Sequence, residues 1–187
     1  KVMGLSSYGK PIFFLVLSKV LFNTNFGYEL NLDYFVHQNQ LILEKDKNGQ
    51  IRYKDLYSKK LIDLLGPERV ITDEINQRHM DIAKSAQIIY EKTLFTLLNQ
   101  LYEKYNIKNL TLSGGCAMNS VANGKITSRT PFKNVYVQPA AGDDGGALGA
   151  SYYTWHSVLK KKERFEMKHA YFGNSYSNDL IEKVINK

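Results

Sequence analysis

Two glycine-rich segments hold the residue types best suited to chemistry. The first, SGGCAMN, spans residues 113–119 and follows the apolar run NLTL; the second, AGDDGG, spans 141–146 and follows NVYVQPA. In each, an apolar strand runs into glycines that open an expected helix. Glycines there leave backbone N–H groups bare at a helix start, which favours a phosphate or another anion. The two turns read as two walls of a nucleotide pocket. Gly114 and Gly115 would let a ligand approach the backbone. Asn119 would fall in the first turn of the following helix, within reach of a ribose or phosphate. An ordinary tight strand–helix turn, with Asn119 in solvent, explains the same residues equally well. Cys116 stands where a helix dipole would lower a thiol pKa, but a nucleophile needs a base and no histidine is near in sequence. A small residue packed under the loop is the favoured reading of Cys116. In the second turn, one of Asp143 and Asp144 can cap the next helix while the other offers an oxygen to a metal or positions a water. Both can instead be turn and capping residues. His37, His79, His156 and His169 show no metal-ligand spacing, and His79 or Asp81 could cap a long helix.

These segments need elements to place them. Pro11 suits a helix start, and the apolar run 12–22 reads as a buried helix, being shorter than the ~20 residues that cross a bilayer. Residues 26–34 alternate, with Phe26, Tyr28, Leu30, Leu32 and Tyr34 on one face of a half-buried strand. Residues 45–50 form a polar turn. Residues 55–65 form a short helix stopped at Gly66 and Pro67. Residues 81–105 form the clearest helix, with Ile82, Ala86, Ile89, Leu94, Leu97, Leu101 and Tyr105 at three- and four-residue steps. Residues 146–158 form the last clear helix, and the charged run 160–164 is a solvated linker. Strand–turn–helix twice over argues for an α/β layered protein, a mixed sheet with helices packed on it.

The chain has 187 residues, 43% hydrophobic and 23% charged, enough for a real core. Its net charge of +7 suits a basic surface or an attraction for anions. No arginine stripe interleaved with aromatics points to nucleic acid. The single cysteine rules out an intrachain disulfide and fits a reducing cytoplasm. GxGxxG and the P-loop pattern are both absent from the turns.

Five segments in one order, KVMGLSSYG, RHMDIAKSAQ, LSGGCAMNSVANGKI, FKNVYVQPAAGDDGGALGA and HAYFGNSYS, resemble the carbamoyltransferase family that includes nodulation and antibiotic O-carbamoyltransferases. The resemblance runs from residue 1 to about 177 and is weakest over 10–25. It implies half of an actin-like (ribonuclease H-like) ATPase domain over 1–165, related to the tRNA threonylcarbamoyl transferases. Residues 166–187 would begin a linker or a further element. In such proteins a downstream adenylate-forming domain makes carbamoyl-adenylate from carbamoyl phosphate and ATP, and the actin-like part passes the carbamoyl group to an acceptor hydroxyl. The resemblance assigns nucleotide contacts to Gly114, Gly115, Asn119 and Gly142. It assigns a divalent metal, iron or similar, to Asp143, and gives no role to Asp144. The other metal ligands of the family are histidines in an H-x-x-x-H helix, which this sequence lacks and which would lie upstream of residue 1. The 187 residues alone are therefore expected to be inactive. Two other readings are a non-catalytic actin-like nucleotide-binding module, which would not need Asp143, and a tRNA threonylcarbamoyl transferase. The segments at 1–9 and 170–177 argue against the last. No general base stands out, and the sequence names no acceptor.

Overall fold

A computed structural model describes residues 2–164, 166–167, 169–171 and 173–186; Lys1 of the first family segment and Phe172 of the last lie outside the described residues. The helices are α1 (Val2–Leu5), α2 (Phe14–Leu17), α3 (Lys59–Leu65), α4 (Gln77–Tyr105), α5 (Ser120–Asn123), α6 (Ile126–Arg129), α7 (Gly146–Tyr153) and α8 (Asn178–Ile185). The strands are β1 (Leu21–Asn23), β2 (Tyr28–Leu30), β3 (Leu43–Lys45), β4 (Ile51–Tyr53), β5 (Asn109–Leu112) and β6 (Asn134–Val137). The chain divides into two units. The first takes residues up to 110 with 119–136, and the second takes 111–118 with 137 onward.

The first unit is built on α4, 29 residues long. Its start lies four residues ahead of the expected one because Asn76, not His79 or Asp81, is the cap. The Asn76 side chain accepts the His79 N–H, and His79 Nδ1 accepts the Asn76 N–H at 3.1 Å, a reciprocal capping box. At the other end Asn106 turns left-handed (φ 51°) and stops the helix. The buried positions are Asp81, Ala83, Ser85, Gln87, Ile89 and Leu98. Of the expected apolar stripe only Ile89 is buried, and Tyr105 is exposed. The N-terminal half of α4 thus turns a partly polar face inward, against α1, α2 and the 3-10 turn Ser6–Tyr8.

The expected 12–22 helix shrinks to one turn, α2, and Leu15 is exposed. Ser18 Oγ donates to the Phe14 carbonyl, a local bond that competes with helix continuation, and the chain turns into β1. The expected strand over 26–34 is also shortened. Only β2 pairs, antiparallel with β1 in the register Leu21↔Leu30, and Asn31 Oδ1 accepts the Asp33 N–H to bend the rest into a 3-10 turn. Phe26, Tyr28, Leu30 and Leu32 are exposed, so the apolar face of that alternation is not a buried one. The polar turn at 45–50 is present: it joins β3 and β4, with Asp46 Oδ1 accepting the N–H groups of Asn48 and Gln50. The short helix α3 ends at Gly66 (φ 89°), beside Arg78, which donates to the Leu65 and Pro67 carbonyls.

The protein is α/β as expected, but the described strands form three two-stranded sheets in place of one mixed sheet. In β5 and β6, Asn134 N–H donates to the Lys108 carbonyl at one end and Gln138 N–H to Leu112 at the other, so the pair runs parallel. In the second unit the expected helix over 146–158 is α7 followed by a π-helical turn, Thr154–Val158. Among the described residues no helix is long and apolar enough to cross a membrane.

Candidate functional site

Both glycine turns lie in the second unit, and the backbone joins them. Gly114 adopts φ 97°, a conformation that favours glycine, and its N–H donates to the Ala141 carbonyl at 2.7 Å. A side chain on Gly114 or Gly115 would meet nothing within 4 Å, so this turn faces open space. The second turn is tighter. A Cβ on Gly145 would lie 2.1 Å from the Ala140 carbonyl oxygen, and one on Gly142 would lie 3.2 Å from Met118 Cε and 3.4 Å from Asp144 Oδ1. Each turn opens with a 3-10 segment, Gly115–Met118 and Asp143–Gly145. The first continues only into the single-turn helix α5, not the full helix the sequence suggested, because Asn119 interrupts and recaps it.

Asp143 and Asp144 are exposed. Neither caps α7: the positions ahead of the 3-10 segment and of α7 are Gly142 and Gly145, with no side-chain bond. The described residues contain no group of three His, Cys, Asp or Glu side chains able to hold a metal ion. Two adjacent carboxylates fall short of the three protein ligands of a catalytic site, so the described residues do not fit a complete metal centre. The histidines sit elsewhere: His37 edge-on to Phe35, His79 in the capping box, His156 stacked on Tyr152 and His169 on Tyr171. Cys116 is exposed, not packed beneath the loop.

Asn119 belongs to the first unit. It is the N-cap of α5, its Oδ1 accepting the Ala122 N–H at 3.1 Å. Its amide also pairs reciprocally with Gln87 of α4: Asn119 Nδ2 donates to Gln87 Oε1 at 2.9 Å, and Gln87 Nε2 donates to Asn119 Oδ1 at 3.2 Å.

Sequence reasoning offered Asp81 only as a helix cap and gave no role to Ser85 or Gln87; the structure buries all three. Asp81 Oδ1 accepts the Lys10 N–H at 2.6 Å and the Gln77 side chain at 2.8 Å. The Lys10 N–H, helped by Gln77, holds the Asp81 carboxyl below the usual carboxylate range. Ser85 Oγ donates to the Asp81 carbonyl and accepts the Phe13 N–H at 3.1 Å. Gly9 fits because it has no side chain; a Cβ there would lie 1.9 Å from the Met80 carbonyl oxygen. The available signal was the i, i+4 pair Asp81 and Ser85, with Gln87 two residues on.

An α/β protein with these five segments in register matches one family model. Residues 1–152 match the Carbamoyltransferase N-terminus, and the chain belongs to that family. It is 37% identical over 99% of its length to an uncharacterized protein of Synechocystis. It is 30% identical over 98% of its length to the nodulation protein NolO of Bradyrhizobium diazoefficiens, and 29% identical over 96% to NolNO of Sinorhizobium fredii. The chain spans 29%, 30% and 23% of the lengths of these three relatives.

Proposed function

We propose that this chain is the part of a carbamoyltransferase that binds and orients carbamoyl-adenylate for attack by an acceptor hydroxyl. The observation that carries the reading is the Gly114–Ala141 bond, which joins two glycine turns within the family-matched residues. In this reading the chain is half of an actin-like domain, and the adenylate comes from carbamoyl phosphate and ATP elsewhere in the complete protein. The acceptor oxygen attacks the carbamoyl carbon, the bond from that carbon to the adenylate oxygen breaks, and AMP leaves as the acceptor hydroxyl loses its proton. The negative charge that gathers on the carbonyl oxygen and on AMP favours N–H donors such as those of Gly115 and Gly142, while Gly114 holds the two turns together through Ala141. Asn119 contacts the nucleotide. Asp143 supplies one oxygen ligand towards a divalent metal, which as a Lewis acid would polarise the carbonyl when bound.

The test is Asp143→Ala in the complete protein. Its side chain is exposed, so the folded state should persist. Carbamoyl transfer to a panel of sugar and aminoglycoside hydroxyls should fall by orders of magnitude and bound metal should drop. Pyrophosphate release dependent on carbamoyl phosphate should continue. Unchanged transfer would overturn the role of Asp143.

A further inference from the structure

We infer that Gln87 and Glu91, two residues of α4, fix the orientation of the Asn119 amide so that it meets its ligand only as a hydrogen-bond donor. The inference rests on the reading of Asn119 as a nucleotide contact. The chain of bonds begins at Lys125, whose ammonium lies 2.7 Å from each oxygen of Glu91. A carboxylate in that ion pair only accepts. Gln87 Nε2 donates to Glu91 Oε1 at 2.9 Å, which sets which end of the Gln87 amide faces which way. Gln87 Oε1 then faces Asn119 and takes a hydrogen from Nδ2. From the other side, the Ala122 N–H demands an oxygen, and Asn119 Oδ1 supplies it. Asn119 is thus oriented from both ends.

Asn119 Oδ1 accepts twice, from Ala122 and Gln87, and has no lone pair to spare. Nδ2 has used one hydrogen on Gln87 and keeps one. Gln87, 5% exposed, has both its Nε2 hydrogens engaged. The group that Asn119 receives is therefore an acceptor, such as a phosphate or ribose oxygen, and not the amino group of a base. Gln87 and Glu91 act through Asn119 and are positioning residues. Glu91 is the better shielded half of its ion pair, with 13% of its side chain exposed against 42% for Lys125, so Lys125 can reach water while Glu91 stays within the network.

Binding of a non-hydrolysable ATP analogue to the complete protein, measured by calorimetry beside thermal unfolding, tests this. Asn119→Asp keeps the oxygen for Ala122 and removes the donor, and should weaken binding at least tenfold. Gln87→Leu frees the amide and should weaken binding about tenfold. The exchange of Gln87→Glu with Glu91→Gln keeps an acceptor opposite Nδ2 and a donor from position 91 to position 87, giving up only the longer bond to Asn119 Oδ1, and should stay within about threefold of the parent. A packing role alone would not separate the leucine variant from the exchanged pair. Unchanged binding in Asn119→Asp overturns the reading of Asn119, and this inference falls with it. Weakened binding in Asn119→Asp with none in a folded Gln87→Leu overturns the positioning role alone. If Gln87→Leu does not fold, the exchanged pair decides: a folded exchange that loses affinity tenfold overturns the inference.

Discussion

The glycine turns of the second unit and the N-terminal half of α4 in the first treat the backbone in opposite ways. At the turns, side chains are withheld: the N–H groups of Gly114 and Gly145 bond to the carbonyls of Ala141 and Gly142, and a side chain on Gly114 or Gly115 would meet only open space. Along α4, side chains reach out and consume the N–H groups of another segment: Asp81 takes that of Lys10 and Ser85 that of Phe13. Ligand-facing backbone must stay unsatisfied until a ligand arrives, whereas buried backbone must be satisfied at once. One family segment, RHMDIAKSAQ, therefore serves the scaffold, and another, LSGGCAMN, serves the proposed site. Asn119, at the end of the second segment, caps α5 and pairs with Gln87 of the first, and the proposed nucleotide contact would be its further task.

The largest expected effect is at Gly9. Its φ of −102° suits any residue, so Gly9→Ala tests the clash with Met80 alone, and it should cost about 3 kcal/mol in urea unfolding. A cost well under that would mean that the first segment is not clamped. Gly114→Ala meets open space and pays only for its left-handed backbone, about 1–2 kcal/mol, with the loss of nucleotide binding exceeding the loss of stability. Equal losses would erase the contrast between site and scaffold. Ser85→Ala leaves the half-buried Phe13 N–H without its acceptor and should cost about 1 kcal/mol, with nucleotide affinity unchanged.

The smallest effect is on pH dependence. The Asp81 carboxyl titrates below its ordinary range in the folded protein, so the fold favours its charged form. That contribution is complete above the unfolded carboxylate pKa and is lost as pH falls through the lower folded value. Asp81→Asn should flatten the acid limb of the stability profile. At the alkaline end, the bond from Tyr57 to Glu68 pushes the phenol up to about 12. Its contribution holds below the unfolded pKa and disappears as pH rises through the folded one, so Tyr57→Phe should remove that drop.

Much of this was legible in the residues. Helix α4, the strands β5 and β6, the polar turn at 45–50 and both glycine turns follow from periodicity and turn chemistry. What misled was alternation without a partner. Residues 26–34 read as a buried face, but Asn31 spends its side chain on the Asp33 N–H and the strand ends. The α4 face was also misread, because a count of apolar steps gives no weight to Asp81, Ser85 and Gln87. They are buried for the backbone and amide groups they satisfy, and those partners are remote in sequence. Asn119 stood out beside the glycines, yet its pairing with Gln87, 32 residues away, had no local trace. The carbamoyltransferase resemblance was legible as a set of segments and is matched by the family model over residues 1–152.

The clamp on α4 is also a loop closure. Lys10 and Asp81 stand 71 residues apart, so joining them in a flexible chain costs roughly 4 kcal/mol of entropy beyond a constant. The i→i+4 bonds of α4 carry no such cost, and the helix can serve as the template on which the first residues dock. A cut within the turn at 46–50 would convert that docking into association between two separate pieces. Refolding of the nicked protein would then depend on its concentration, while refolding of the intact chain would not.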